Sequence, residues 1–133
     1  MKIVLTYGTY DLFHYGHVRL LQRARTLGDV LYVGLSTDSF NALKNKKSFM
    51  SYEERKDLLL SCRSVDKVFP EETWEQKAED IEQYGASVLV MGDDWAGKFD
   101  HFSHLCDVKY LERTPLISST MLRVGLGSYE PNQ

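Results

Sequence analysis

Apolar and polar positions along the chain follow two rhythms, and the points where one gives way to the other mark the elements. Lys2 to Tyr7 is a short run rich in Val, Ile and Leu that stops at Gly8, the pattern of a buried strand feeding a loop. From Gly16 to Leu27 the residues Val18, Leu20, Leu21, Ala24 and Leu27 recur at three and four, and Gly28 follows, which predicts an amphipathic helix with a glycine stop. Val30 to Leu35 reads as a second strand. Tyr52 to Cys62 reads as a second helix, opened by the capping box Ser51-x-x-Glu54, and Val65 to Phe69 as a third strand. Trp74 to Tyr84 is a third helix ended by Gly85. Val88 to Met91 and Val108 to Leu111 are further short strands, and Ser118 to Val124 begins a last helix capped by Ser118 or Ser119.

Strands that alternate with helices of this length pair in parallel through right-handed crossovers, with helices covering both sheet faces. The pattern therefore predicts a doubly wound, Rossmann-like α/β fold: one parallel sheet of about five strands in a single domain over residues 1–125, followed by a polar, Gly- and Pro-containing tail at 126–133. In such sheets ligands bind beyond the carboxyl ends of the strands, so the loops after Tyr7, Leu35, Met91 and Leu111 are the places to look for chemistry.

Composition narrows the partners. A chain of 133 residues has room for one core, and 43% hydrophobic with 26% charged residues is the balance of a folded soluble domain rather than a disordered one. No apolar run approaches the roughly 20 residues of a membrane span, and the apolar stretch at the start ends at Tyr7 without a cleavage-site pattern, so a cytoplasmic protein is expected. A net charge of -3 lacks the broad basic footprint of a nucleic-acid or anionic-membrane binder, although a local cluster can still hold a small anion. Cys62 and Cys106 are too few for a disulfide framework, lack zinc-site spacing, and read as buried thiols.

The loop after the first strand, Gly8-Thr9-Tyr10-Asp11-Leu12-Phe13-His14-Tyr15-Gly16-His17, runs straight into a helix start. Two histidines three apart flank a glycine there, where imidazole N–H groups, free backbone N–H groups and the positive helix end converge on a place suited to phosphate. The same two residues also suit satisfied core or surface histidines, or a thin metal site with Asp11. Lys44, Lys46 and Lys47 form a basic run that is either solvated or aimed at an anion. Arg55 and Arg63, eight apart, reach one pocket or make surface ion pairs. Asp11, Asp38, Asp93 and Asp94 sit at expected strand ends, where metal ligation, hydroxyl recognition and loop structure are all open. His101 and His104 read as surface residues.

The run Gly8-Thr9-Tyr10-Asp11 with His14-Tyr15-Gly16-His17 resembles the signature of the cytidylyltransferase branch of the HxGH nucleotidylyltransferase superfamily. A second superfamily element resembles Arg113-Thr114-Pro115-Leu116-Ile117-Ser118-Ser119-Thr120, with Leu116 where the family carries glycine. The segments Arg63-Ser64-Val65-Asp66, Trp74-Glu75-Gln76-Lys77 and Met91-Gly92-Asp93-Asp94-Trp95 are similar to bacterial glycerol-3-phosphate cytidylyltransferases in particular, and the likeness runs from Lys2 to about Arg123.

The resemblance implies that a phosphorylated acceptor attacks the α-phosphorus of CTP with Mg²⁺ present, giving CDP-glycerol and pyrophosphate if the acceptor is glycerol 3-phosphate. It implies catalytic roles for His14, His17, Lys46, Arg113, Ser118 and Ser119. Nucleotide contacts are implied for Thr9, Tyr10, Tyr15 and Gly16, for those catalytic residues, and for Thr114, Pro115, Leu116, Ile117 and Thr120. Acceptor contacts are implied for Lys44, Lys77, Arg55, Arg63, Asp38 and Trp74, where Lys77 alone also reads as a solvated helix residue and Trp74 as core. Asp11 and Asp94 support the site, with Asp11 facing Mg²⁺ or a basic side chain. A homodimer and a link to teichoic-acid or capsule synthesis follow from the same likeness. Another phosphorylated alcohol or sugar as acceptor, ATP as donor, and a non-catalytic nucleotide sensor are the competing expectations.

Overall fold

The computed structural model describes residues 1–113. Five strands, β1 (Ile3–Gly8), β2 (Val30–Ser36), β3 (Lys67–Glu71), β4 (Val88–Gly92) and β5 (Asp107–Leu111), form one sheet in the order β3-β2-β1-β4-β5. Every pairing is parallel. The helices between them are α1 (Tyr15–Arg25), α2 (Asp38–Leu43), α3 (Tyr52–Leu60) and α4 (Gln76–Tyr84), and two short 3₁₀ turns, Asp93–Trp95 and Asp100–His104, bridge β4 to β5. The doubly wound α/β expectation holds for this part of the chain. The helix expected from Ser118 and the tail at 126–133 lie outside the described residues.

Period-two alternation along the strands divides the interior in two. Val4, Leu31, Val33, Val88 and Val90 face α1 and α3, where Leu21, Ala24 and Leu59 meet them. Leu5, Tyr7, Phe69, Leu89 and Met91 face the other way, against Ile81 of α4 and against Phe99 and Phe102 beyond β4. The chain thus winds outward from β1 through α1 and α3 on one face, then returns through α4 on the other. The strand order reverses between β1 and β4, and the loops that leave the carboxyl ends of the strands part there.

Three local features depart from the sequence reading for physical reasons. Helix α2 is only six residues, too short for periodicity to reveal, and is set by Thr37, whose side chain accepts from the Phe40 N–H while Phe40 and Asn41 are buried. Strand β3 runs two residues past the expected Phe69, through Pro70 to Glu71. A proline in that position is tolerated because β3 is the sheet edge and pairs on one side only. Helix α4 starts at Gln76 rather than Trp74, and Gly85 ends it with φ 63°, as a left-handed cap requires. The capping box of α3 is present as expected, Ser51 accepting from the Glu54 N–H and Glu54 from the Ser51 N–H. Cys62 and Cys106 are free and half-buried rather than buried. No described helix is long and apolar enough to cross a membrane.

Candidate active site

A cavity of about 740 Å³ opens over the carboxyl ends of the strands, and its wall includes Thr9, His14, His17, Lys46, Gly92 and Arg113 toward β1 and β4, and Lys44, Glu71, Trp74 and Lys77 toward β2 and β3.

The first end is built by the turn from β1 into α1. Tyr10 and Leu12 hold positive φ, 51° and 49°, conformations that non-glycine residues occupy at a cost and that wind the chain tightly enough to bring both histidines to the helix start. His14 is the N-cap. Its Nδ1 accepts from the Gly16 N–H at 3.0 Å, and the His17 Nδ1 accepts from the His14 N–H at 3.2 Å. Two acceptor Nδ1 atoms leave the neutral rings with their protons on Nε2. The rings stack at 3.9 Å between centroids and 19° between planes, with Phe13 stacked on His17 and Tyr10 edge-on to it. Burial, the neighbouring His14 and Arg113 push the His17 pKa down to about 3, and burial and Arg113 lower that of His14. Both imidazoles are therefore neutral N–H donors near pH 7. The His14 Nε2 is buried with no hydrogen-bond partner among the described residues, at the start of α1 where the His14 Nδ1 already takes the Gly16 N–H. An anionic oxygen satisfies that donor, and a cation does not.

Beneath this end, two buried side chains tie the loops together. Asp11, 1% exposed, accepts from the Phe49 N–H at 2.8 Å and the Met50 N–H at 3.1 Å, one on each carboxylate oxygen. Arg55, fully buried, donates to the carbonyls of Met50, Thr9 and Ser36 and to Asp38 at 2.7 Å. These contacts bear on three expectations. Arg55 does not line the cavity, because its guanidinium is consumed in joining three loops. Asp38 pairs with Arg55 and accepts from the Tyr52 N–H, so it caps the start of α3, and it is not among the residues of the cavity wall. Asp11 is a loop anchor. Its oxygens serve backbone donors, and among the described residues no group of three His, Cys, Asp or Glu side chains is placed to hold a metal ion.

The second end is a chain of buried polar contacts. Lys77 donates to Glu71 Oε2 at 2.7 Å, Ser36 Oγ donates to Glu71 Oε1 at 3.0 Å, and Lys44 donates to Ser36 Oγ at 3.0 Å. Lys77 and Glu71 are 2% and 3% exposed. Burial draws the Lys44 pKa down to about 8, against the pull of Glu71 and with Lys46, Lys77 and Arg55 reinforcing it. Lys44 lies 4.5 Å from the Phe40 ring centre, and Trp74, edge-on to Phe40, is half-exposed at the mouth rather than core. Sequence reasoning missed Glu71 and Ser36. Ending β3 at Phe69 hid that Glu71 closes a strand, and nothing in spacing reveals that β2 and β3 set Ser36 opposite it.

The remaining expected residues divide. Lys46 and Lys47 line the cavity and are exposed. Arg113 reaches its rim and lies 3.8 Å from Asp94, both half-exposed. Tyr10 and Gly16 are on the wall, whereas Tyr15 is 63% exposed and off it. Arg63 falls in the turn after α3, near the amino ends of β2 and β3, at the opposite end of the sheet from the cavity. Within one copy of the chain it cannot touch an acceptor there. Thr114, Pro115, Leu116, Ile117, Ser118, Ser119 and Thr120 lie outside the described residues.

The sequence profile of a family described as cytidylyltransferase-like matches residues 5–125. A protein of Staphylococcus aureus named glycerol-3-phosphate cytidylyltransferase is 55% identical over 123 residues, 92% of this chain and 93% of that one. A Bacillus subtilis protein of the same name is 54% identical over 123 residues, 92% and 95% of the two chains. Among solved structures, the lipopolysaccharide core biosynthesis protein of Thermoplasma volcanium superposes with a TM-score of 0.72 at 21% identity, covering 86% of this chain and 97% of that one, a likeness of fold.

Proposed function

The chain belongs to the cytidylyltransferase-like family, and from that membership we propose that it is an enzyme that transfers the cytidylyl group of CTP to glycerol 3-phosphate, giving CDP-glycerol and pyrophosphate. The single observation that carries the reading in the site is the unpartnered, buried Nε2 of His14 at the α1 start, a residue on the wall of a cavity whose far end holds Lys44 and Lys77.

An oxygen of the acceptor phosphate forms a bond to the α-phosphorus of CTP while the bond to the β-phosphate oxygen breaks and its electron pair leaves with pyrophosphate. The nucleophile arrives already ionised, so no strong base is needed, and the protein's work is placement and charge stabilisation. His14 and His17 donate from Nε2 to oxygens of the reacting phosphates, the α1 N-terminus adds its positive end, and Lys46 and Arg113 meet the triphosphate. Being neutral, the imidazoles give up hydrogen bonds without first losing a proton. Lys44 and Lys77 sit at the acceptor end, with Trp74 over it. Gly16 leaves room for the nucleotide, with Thr9 and Tyr10 beside it, and Ser118, Ser119 and Thr120 complete the phosphate contacts from the second family element.

The carboxylates on the described wall are engaged, Asp11 by backbone N–H groups, Glu71 by Lys77 and Ser36 and Asp94 beside Arg113, and among the described residues no three His, Cys, Asp or Glu side chains are placed to hold a metal ion. We read Mg²⁺ as part of the substrate, entering as the counter-ion of the triphosphate. The reaction belongs in the cytoplasm, where nucleoside triphosphates are held. The working form is a homodimer, for which Phe49 and Leu60, 50% and 49% exposed, offer apolar surface.

The test is pyrophosphate release by purified protein with MgCTP or MgATP against glycerol 3-phosphate, other phosphorylated alcohols and sugar phosphates. Turnover confined to CTP with glycerol 3-phosphate, lost in His17→Ala, is the expected result. Turnover with another pair moves the substrate assignment, and nucleotide binding without turnover on any acceptor would leave a sensor.

A further inference from the structure

The acceptor end of the cavity contains an aromatic box that the chain fills with its own cation. Lys77 Nζ lies 4.6 Å from the centre of the Tyr7 ring, 5.3 Å from that of Phe99 and 5.7 Å from that of Trp74. Gly34 keeps the Tyr7 ring in place, since a Cβ there would come within 2.4 Å of it. The fourth side is Glu71, whose carboxylate takes one of the three ammonium protons of Lys77 at 2.7 Å. Rings within about 6 Å of a positive charge, closed by a carboxylate, are what recognition of an ammonium ligand requires. Here the ligand is internal.

Resting on the reading of cytidylyl transfer to a phosphorylated alcohol, we propose that Lys77 determines acceptor specificity: by occupying the box of Tyr7, Trp74, Phe99 and Glu71 it rejects acceptors whose alcohol carries an ammonium group and selects those whose alcohol end is uncharged. A cationic acceptor would bring its charge against Lys77 and Lys44 together, where Glu71 is already spent on the first and tied to the second through Ser36. Hydroxyl groups of a polyol, in contrast, accept from the ammonium protons that Glu71 leaves free. Without the Lys77 ammonium, the same rings and carboxylate would suit an incoming cation.

The test compares kcat/KM for glycerol 3-phosphate with that for phosphoethanolamine and phosphocholine, which share the phosphomonoester and differ in the head. The wild type turns over glycerol 3-phosphate and rejects both amines. In Lys77→Met the preference for glycerol 3-phosphate over phosphoethanolamine falls at least about 100-fold, as a loss of both charge repulsion and hydrogen bonding predicts. In Lys77→Met/Glu71→Gln, which keeps the shape of the box without a lone buried charge, the preference falls in the same direction by a smaller factor. That double variant also decides the matter if Lys77→Met does not fold.

Equal loss of all acceptors in these variants would show that Lys77 serves the phosphate they share and would overturn the proposal. So would a preference unchanged to within about threefold, or a wild type that accepts the amines. Absence of any CTP turnover by the wild type is a different result, since it overturns the cytidylyl-transfer reading itself.

Discussion

Replacing Arg55 by Met separates two accounts of this residue, an acceptor ligand and a tie between loops. The guanidinium is fully buried and makes hydrogen bonds to the carbonyls of Thr9, Ser36 and Met50, at 2.9, 2.7 and 3.1 Å, besides its pair with Asp38. Met fills a similar volume and supplies no donor, so the carbonyls of Thr9 and Ser36 lose this donor while that of Met50 keeps the Ser48 hydroxyl at 2.7 Å. At about 1–3 kcal/mol for each orphaned group the upper bound is large, but the buried guanidinium also sheds its own desolvation cost, and a net loss of about 3–5 kcal/mol is expected. The Asp38 pair adds little, because that carboxylate is 57% exposed. A chain of 133 residues has roughly 7–20 kcal/mol of stability to lose from, so the variant folds at 25 °C with a midpoint lower by roughly 10–20 °C.

Urea unfolding monitored by far-UV circular dichroism, at unchanged m-value, reads the loss directly. Steady-state kinetics should then show KM rising for CTP and for glycerol 3-phosphate together, since the proposed function puts Thr9 at the nucleotide end and Ser36 beside the acceptor end. A loss under about 1 kcal/mol, the scale of one ordinary hydrogen bond, with only the acceptor KM raised, would refute the tie and restore the acceptor ligand.

The histidine pair is expected to be neutral with protons on Nε2 at pH 7, readable as ¹⁵N imidazole shifts, and removal of either donor by His14→Ala or His17→Ala should lower kcat about 10²–10³-fold. Because the His17 pKa falls to about 3 on folding, the unfolded chain binds the extra proton between its ordinary value near 6.5 and that figure. The free protein should therefore lose stability as pH drops through this window and not as it rises above it, in urea titrations from pH 8 to 4. Asp11→Asn should weaken the loop at Phe49 and Met50 by about 1–3 kcal/mol while the Mg²⁺ concentration for half-maximal rate stays unchanged. A shift in that concentration would return Asp11 to the metal. Since the Lys44 pKa lies near 8, KM for glycerol 3-phosphate should climb as pH passes that value, and the climb should vanish in Lys44→Met.

Sequence periodicity is a record of which face of each element is wet, and that record was sufficient for the alternating strands and helices, the parallel sheet and the loop that carries His14 and His17. The signature around those histidines and its partner at Arg113 carried the family. Periodicity could not reveal α2, which has fewer than two turns, nor the extension of β3 through Pro70, which depends on that strand having one neighbour. Arg63 and Lys77 show the limit most directly. Both are basic residues close to helix ends, alike on paper, yet Arg63 falls at the amino end of the sheet and Lys77 is buried at its carboxyl end, beside Glu71.

The sequence by itself determined the class of fold, the family and the placement of a histidine-bearing turn at the first helix start, because each is written in residues near one another along the chain. Only the tertiary structure decided the tasks of the charged side chains. Arg55 became a tie, Asp11 an anchor and Lys77 the occupant of an aromatic box because their partners come from distant segments. Once buried, a charge must take the hydrogen-bonding groups that the fold brings to it.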